Sequence, residues 1–202
     1  MLAVATFSSV KSANRSARIA ERSLLVGMRP IVIPSREEDP VERVRFGDEQ
    51  ILVVPGHGAA VEVGREAIYF AIALRNGGQG LAVLHGWRVQ PRPPRPPGPS
   101  DGRSTDEPPA LDEFRRQQLD LYIPAGETGY WQGALRDPAE PGYAEVRRAA
   151  LAQGLLQVDL LYGDHDGRQR TIVRFVVSPW PDVQGERAFV IRYWNVDEDD
   201  PR

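Results

Sequence analysis

The chain has three histidines, His57, His85 and His165, and no cysteine, so thiolate chemistry, thiolate metal sites and disulfides are excluded. The densest ionisable cluster is Asp164-His165-Asp166, set between Gly163 and Gly167. On an extended strand these neighbours would point to opposite faces and could not share an ion. In a tight turn they could converge, but a zinc-type site would still need a fourth donor. The preferred reading is a polar hairpin tip, in which Asp and Gly supply the turn conformations. His57 lies in Pro55-Gly56-His57-Gly58, and His85 lies inside an apolar, strand-like run. No serine stands in the strand–turn–helix context of a nucleophile elbow, and a triad assembled from distant segments would leave no linear trace. Adjacent carboxylates such as Asp112 and Glu113 occur on any acidic surface, and acid–base work needs one of them raised in pKa by its surroundings.

Other patterns carry chemistry less directly. Gly77-Gly78-Gln79-Gly80 could suggest a phosphate loop, but such loops need a helix N-terminus behind them. Here a strand pattern follows and no lysine is near, so the glycines are expected to supply positive φ at a hairpin or bulge. Arg92-Pro93-Pro94-Arg95-Pro96-Pro97 has the spacing of a proline-rich ligand, and equally that of a spacer loop. The aromatic residues Trp87, Trp131, Trp180, Trp194, Tyr69, Tyr122, Tyr130, Tyr162 and Tyr193 fall on strands or their ends. Core filling and cross-strand pairing are expected of them before a ligand-binding face. No catalytic set, cofactor site or metal site emerges, and the reading leans away from an enzyme.

The elements that would position these residues begin with a helix over residues 1–28, free of proline and free of glycine until Gly27. Val10, Ala13, Ala17, Ala20 and Leu24 recur at spacings of three and four and form a narrow, alanine-rich apolar stripe. Arg15, Arg18 and Arg22 lie beside one another off that stripe and are the candidate interaction residues. A helix with so little to bury is marginal alone and wants a partner. From Pro30 the pattern changes to strands: 30–34, 41–46, 50–54, 59–63, a nearly all-apolar central strand at 67–74, its return strand at 81–89, then 119–123, 128–135, a hairpin of 156–162 with 171–177, and 187–196. Short helices are expected at 111–118 and 141–153. The predicted organisation is a basic helix (1–28), a β-sandwich domain (29–197) with a Pro-rich loop at 91–109, and an acidic tail (198–202). Short strands at this spacing, without a βαβ rhythm, predict a mainly β, immunoglobulin-like antiparallel sandwich with one or two short helices.

With 202 residues, 41% of them hydrophobic, the chain can bury a core, and a net charge of −3 gives no general attraction to nucleic acid. Lys11 is the sole lysine, which points to a GC-rich bacterial genome. The segment Leu74-Arg75-Asn76-Gly77-Gly78-Gln79-Gly80-Leu81-Ala82-Val83, together with the basic helix and Arg29-Pro30, resembles a turn pattern of uncharacterised bacterial proteins. Those proteins pair an N-terminal helix, often membrane-spanning, with an immunoglobulin-like sandwich. The resemblance covers residues 10–90 and implies a fold and a tether but no activity. No window reaches the ~18 apolar residues of a span; Leu2 to Phe7 would be the end of one only if further apolar residues preceded it. The expected protein is cytoplasmic, with the inner face of a membrane as the alternative location. Its expected role is protein interaction or self-association through the helix. The rival reading is a small-molecule or metal-binding domain, or a hydrolase, with a pocket near His57 or 164–166.

Overall fold

The computed structural model describes residues 2–92, 107–179 and 185–197, with side chains left aside for 2–13 and Arg22. In chain order the elements are α1 (Leu2–Gly27), β1 (Val32–Pro34), β2 (Glu42–Arg45), β3 (Ile51–Val54), β4 (Gly58–Val63), β5 (Ile68–Asn76), β6 (Ala82–Pro91), β7 (Arg115–Arg116), β8 (Tyr122–Ile123), β9 (Thr128–Leu135), α2 (Tyr143–Leu151), β10 (Leu156–Gly163), β11 (Thr171–Pro179) and β12 (Glu186–Asn195). Every strand pairing is antiparallel. Ten strands follow the order β1-β5-β4-β12-β11-β10-β6-β7, with β8 also on β6 and β9 also on β5, while β2 and β3 form a separate hairpin.

The alternation of side chains along each strand explains the layering. On β5, Ile68, Phe70, Ile72 and Leu74 face one core, which they share with Leu156, Val158, Leu160 and Tyr162 of β10 and Val173, Phe175 and Val177 of β11. Strands from distant places in the sheet order therefore meet in one cluster, so the sheet folds over on itself as a sandwich. The opposite face of β5, with Tyr69, Ala71 and Ala73, is covered by Val44, Phe46, Leu52 and Val54 of the small hairpin. Burial on both faces is what an unbroken apolar run such as β5 requires. Trp87 and Trp131 meet edge to face at 5.6 Å. Tyr143 and Val146 of α2 are buried in the main core and Ala150 packs against it, whereas Leu151 is 63% exposed.

Three sequence expectations are corrected. Residues 111–118 form one 3-10 turn (Leu111–Glu113) followed by β7. There the chain pairs with Gly86 and Trp87 of β6, and this tertiary pairing overrides a weak helical preference. The alternating run 119–123 contributes only the two residues of β8. Finally, β6 is not the hairpin partner of β5: β5 is flanked by β1, β4 and β9, and the chain crosses to the other layer, where β6 lies beside β10. The glycines of that crossing are absent from the positive-φ glycines, which are Gly126, Gly142, Gly167 and Gly185. Their purpose is close approach.

Candidate functional site

The crossing between β5 and β6 holds the root of α1. A Cβ on Gly80 would lie 1.9 Å from the carbonyl oxygen of Met28, and one on Gly78 would lie 2.2 Å from that of Arg29. Only glycine lets these backbones touch. Asn76, fully enclosed, is the hub. Its Nδ2 donates to the carbonyls of Gly80 (2.7 Å) and Ile123 (3.0 Å), and its Oδ1 accepts from the amides of Gly78 (3.0 Å) and Ile31 (3.1 Å). The Gly77 amide donates to the Ile31 carbonyl at 2.8 Å. From the other layer, Arg29 donates to Thr171 Oγ1 (2.9 Å) and to Asn195, and Gln169 donates to the carbonyl of Leu25 (2.9 Å). Arg29-Pro30 and residues 74–83 are thus two halves of one clamp.

Past that root the helix leaves the domain. Every residue from 14 to 21 is exposed, including Arg15, Arg18, Ala17 and Ala20. Ile19, Leu24, Val26 and Met28 are 59%, 64%, 60% and 45% exposed. The side chain of Arg22 lies outside the described residues, as do those of Val10 and Ala13. The apolar stripe therefore continues through Leu24 to Met28 without cover from the described residues. No described helix is long and apolar enough to cross a membrane.

The second feature is a transverse row of charge on the outer face of the sheet. Arg88, Asp159, Arg174 and Arg192 stand opposite one another on β6, β10, β11 and β12. Asp159 is fully enclosed and accepts from Arg174 Nε at 2.6 Å and Nη2 at 3.1 Å, with Arg88 at 3.5 Å. Arg88 also reaches Glu113 at 3.0 Å. The guanidiniums of Arg174 and Arg192 lie 4.6 and 5.5 Å from the centroid of Trp194. Enclosed and gripped from two sides, Asp159 is a structural charge. The sequence reading missed this row. Its signal was a single charge of each sign in mid-strand, Asp159 between Val158 and Leu160 and Arg174 between Val173 and Phe175.

The histidines do not converge. His57, at φ 55°, donates its amide to the Ser35 hydroxyl oxygen, and its Nδ1 lies 3.2 Å from the Ser35 carbonyl. The hydroxyl oxygen is the acceptor in the first of these bonds, at 3.0 Å from the His57 amide. His165 pairs with Asp166 on an exposed tip. Asp164 is committed to that turn, its Oδ1 accepting from the amides of Asp166 (3.1 Å) and Arg168 (2.7 Å). Among the described residues no three His, Asp or Glu side chains are placed to hold a metal. Residues 93–97 of the proline-rich motif, and Trp180, lie outside the described residues.

His85 is half-buried beside Gly163, and its Nε2 has no partner among the described residues. Desolvation, then the positive charge of Arg170, holds its pKa below the ordinary value. The unfolded chain therefore takes up this proton at a higher pH than the folded one. Stability is expected to fall as pH drops below the ordinary imidazole value of about 6.5, and less steeply in His85→Gln. Thermal unfolding from pH 7.5 to 5.5 of both proteins checks this, and parallel curves would refute it.

The largest described clefts are lined by other residues. One, of about 330 Å³, is lined by residues 115–119 and 132–134 together with Phe46, Gly47, Trp87 and Arg136. None of the clefts described is lined by His57, while one of about 300 Å³ beside the 164–166 turn is lined by Leu25, Gly167, Arg168, Gln169, Arg170 and Asp197. Comparison of the chain with protein families, with curated proteins and with solved structures gives no match.

Proposed function

We propose that the chain is a non-catalytic interaction module, an immunoglobulin-like sandwich that presents α1 to an apolar partner helix, in the first instance that of a second copy. The observation that carries this reading is the exposed stripe of Ala17, Ala20, Leu24 and Met28 on a helix fixed at its root. Small residues at spacings of three and four allow close helix–helix approach. The clamp supports the same reading, because a frayed terminus needs no buried asparagine and no glycines shaped to its backbone. It also gives a physical reason why a basic helix and the Asn-Gly-Gly turn should occur together, as in the helix-plus-sandwich proteins the sequence resembles. The immunoglobulin-like arrangement is supported by the antiparallel, two-layered strands, and location in the cytoplasm by the absence of cysteine.

The test is light scattering of the full chain over a range of concentrations beside an Ala20→Glu/Leu24→Glu variant. The wild type is expected to associate and the variant to be monomeric. Thermal stability of the domain should not change, since neither side chain packs on it. Monomers in both cases would overturn the reading. Flotation with anionic vesicles, lost in Arg15→Glu/Arg18→Glu, would replace the partner helix by a membrane surface.

A further inference from the structure

The two edges of β6 are covered unevenly. On one side β10 pairs with it as far as Pro91, with no shift of register from Gly86 onward. On the other side β8 covers Ala82 and Val83, and β7 covers Gly86 and Trp87. The chain that would extend β7 beside Arg88 and Val89 lies instead in the 3-10 turn Leu111–Glu113. No described strand pairs with residues 88–91 on that side. Along an antiparallel strand, successive residues direct their backbone groups to alternate neighbours. Arg92 donates its amide to the Leu155 carbonyl at 2.9 Å, in register with the β10 pairing. Arg88, Gln90 and Arg92 therefore turn their backbone groups toward β10. The N–H and C=O of Val89 and the C=O of Pro91 point to the uncovered side. Proline has no N–H to lose there, and such edges are where strands tolerate it.

That side opens into a trough of about 690 Å³, walled by the successive residues 88–92 and, across from them, by the start of α2 from Pro141 to Val146. Val89, Leu135 and Val146 line it and belong to, or pack against, the main core. The other face of β6 is basic. Arg88 and Gln90 share it, joined at 2.7 Å, and alternation places Arg92 beside them. Arg88 is matched by Asp159 and Glu113, whereas Arg92 has no carboxylate partner among the described residues. An extended guest meets three things here: N–H and C=O partners on Val89, an apolar slot for its inward residues, and a guanidinium for the alternate ones. Residues 88–91 span roughly 13 Å at about 3.3 Å per residue, which sets a short guest. A helix as the far wall admits one extended segment rather than the edge of a second sheet, and Pro91 further blunts edge-to-edge pairing of two copies. The helix root lies at the opposite end of β6, where Asn76 holds Gly80.

We propose that the free edge of β6 takes up an extended acidic segment of a partner protein as an added strand. The guest exchanges backbone hydrogen bonds with Val89, and its carboxylates meet Arg92. The experiment is titration of the full chain, followed by calorimetry and by amide exchange, with the peptide acetyl-Glu-Val-Glu-Val-Glu-amide. Saturable one-to-one binding is expected at or below millimolar concentration. The Val89 amide is expected to exchange fast in the free chain and slowly in the complex, while that of Gln90 is slow in both. N-methylation of the two valines, whose amides face β6, is expected to abolish binding. N-methylation of the central glutamate, whose amide faces away, is expected to be tolerated. Arg92→Glu is expected to weaken binding several-fold with an unchanged circular dichroism spectrum. The Ala20→Glu/Leu24→Glu variant is expected to bind as the wild type does, which separates this edge from the role of α1. No saturation at millimolar concentration overturns the proposal. So does slow exchange at Val89 in the free chain, which would mean that the edge is already covered. Equal binding of the N-methylvaline peptide, or of a peptide with lysine in place of glutamate, overturns it too.

Discussion

Replacing Asn76 by alanine is expected to cost about 4 kcal/mol of folding free energy, because several backbone groups lose a buried partner at once. The carbonyls of Gly80 and Ile123 lose their donor, and the amides of Gly78 and Ile31 lose their acceptor. Most of these groups sit where the helix root, β5 and the start of β6 converge, so water can reach them only by opening the clamp. Against a typical domain stability of roughly 5–15 kcal/mol this is a large fraction. Urea unfolding of Asn76→Ala beside wild type measures it. Amide exchange at Ile31 and Gly78 should rise by more than exchange in β10 and β11, because the opening begins at the clamp. Gly80→Ala attacks the same contact sterically, its Cβ meeting the Met28 carbonyl at 1.9 Å. The double variant should lose less than the sum of the two, since the first opening removes what the second would strain. A loss below about 1 kcal/mol in Asn76→Ala would mean that the clamp is not a stability element.

The strands of this protein were legible in its sequence wherever hydrophobic pattern and turn residues agreed. The apolar run at β5 announced a strand buried on both faces, and the turn at 163–167 announced the β10–β11 hairpin. Pairing order was less legible. Periodicity says which face of a strand is apolar and nothing about its neighbour, so the short link from β5 to β6 read as a hairpin although it crosses between layers. The glycines of that link were visible but their purpose was not, because close approach to Met28 and Arg29 depends on residues some fifty positions earlier in the chain. The burial of Gln117 and Gln132 was hidden for a related reason. Gln117 and Gln132 are ordinary polar residues in weakly patterned segments, and only the fold removes them from water and leaves their carbonyls unmatched. Arg15 and Arg18 are exposed beside Ala17 and Ala20 on one helix, whose own period decides which residues share a face.

The row of charge across the outer face leads to the other large effect. Asp159→Ala is expected to destabilise the domain by about 3–5 kcal/mol, the usual cost of leaving a buried charge without its partner. The charge that loses its carboxylate is Arg174, whose side chain is 5% exposed and which donates to both oxygens of Asp159. Arg88 loses less, since its side chain is 25% exposed and keeps Glu113. Joint replacement of Asp159 and Arg174 by leucine is expected to fall within about 1 kcal/mol of wild type or above it, because the attraction between two buried charges roughly offsets what their desolvation costs. The two positions are direct cross-strand neighbours, so the leucines would pack on one another. A double-mutant cycle by urea unfolding, with the leucine singles, gives the coupling, and its independence of salt up to molar concentration would reflect burial beyond the reach of mobile ions. Additive losses would show that Asp159 and Arg174 stabilise the sheet through separate contacts, Arg174 chiefly through its stacking on Trp194.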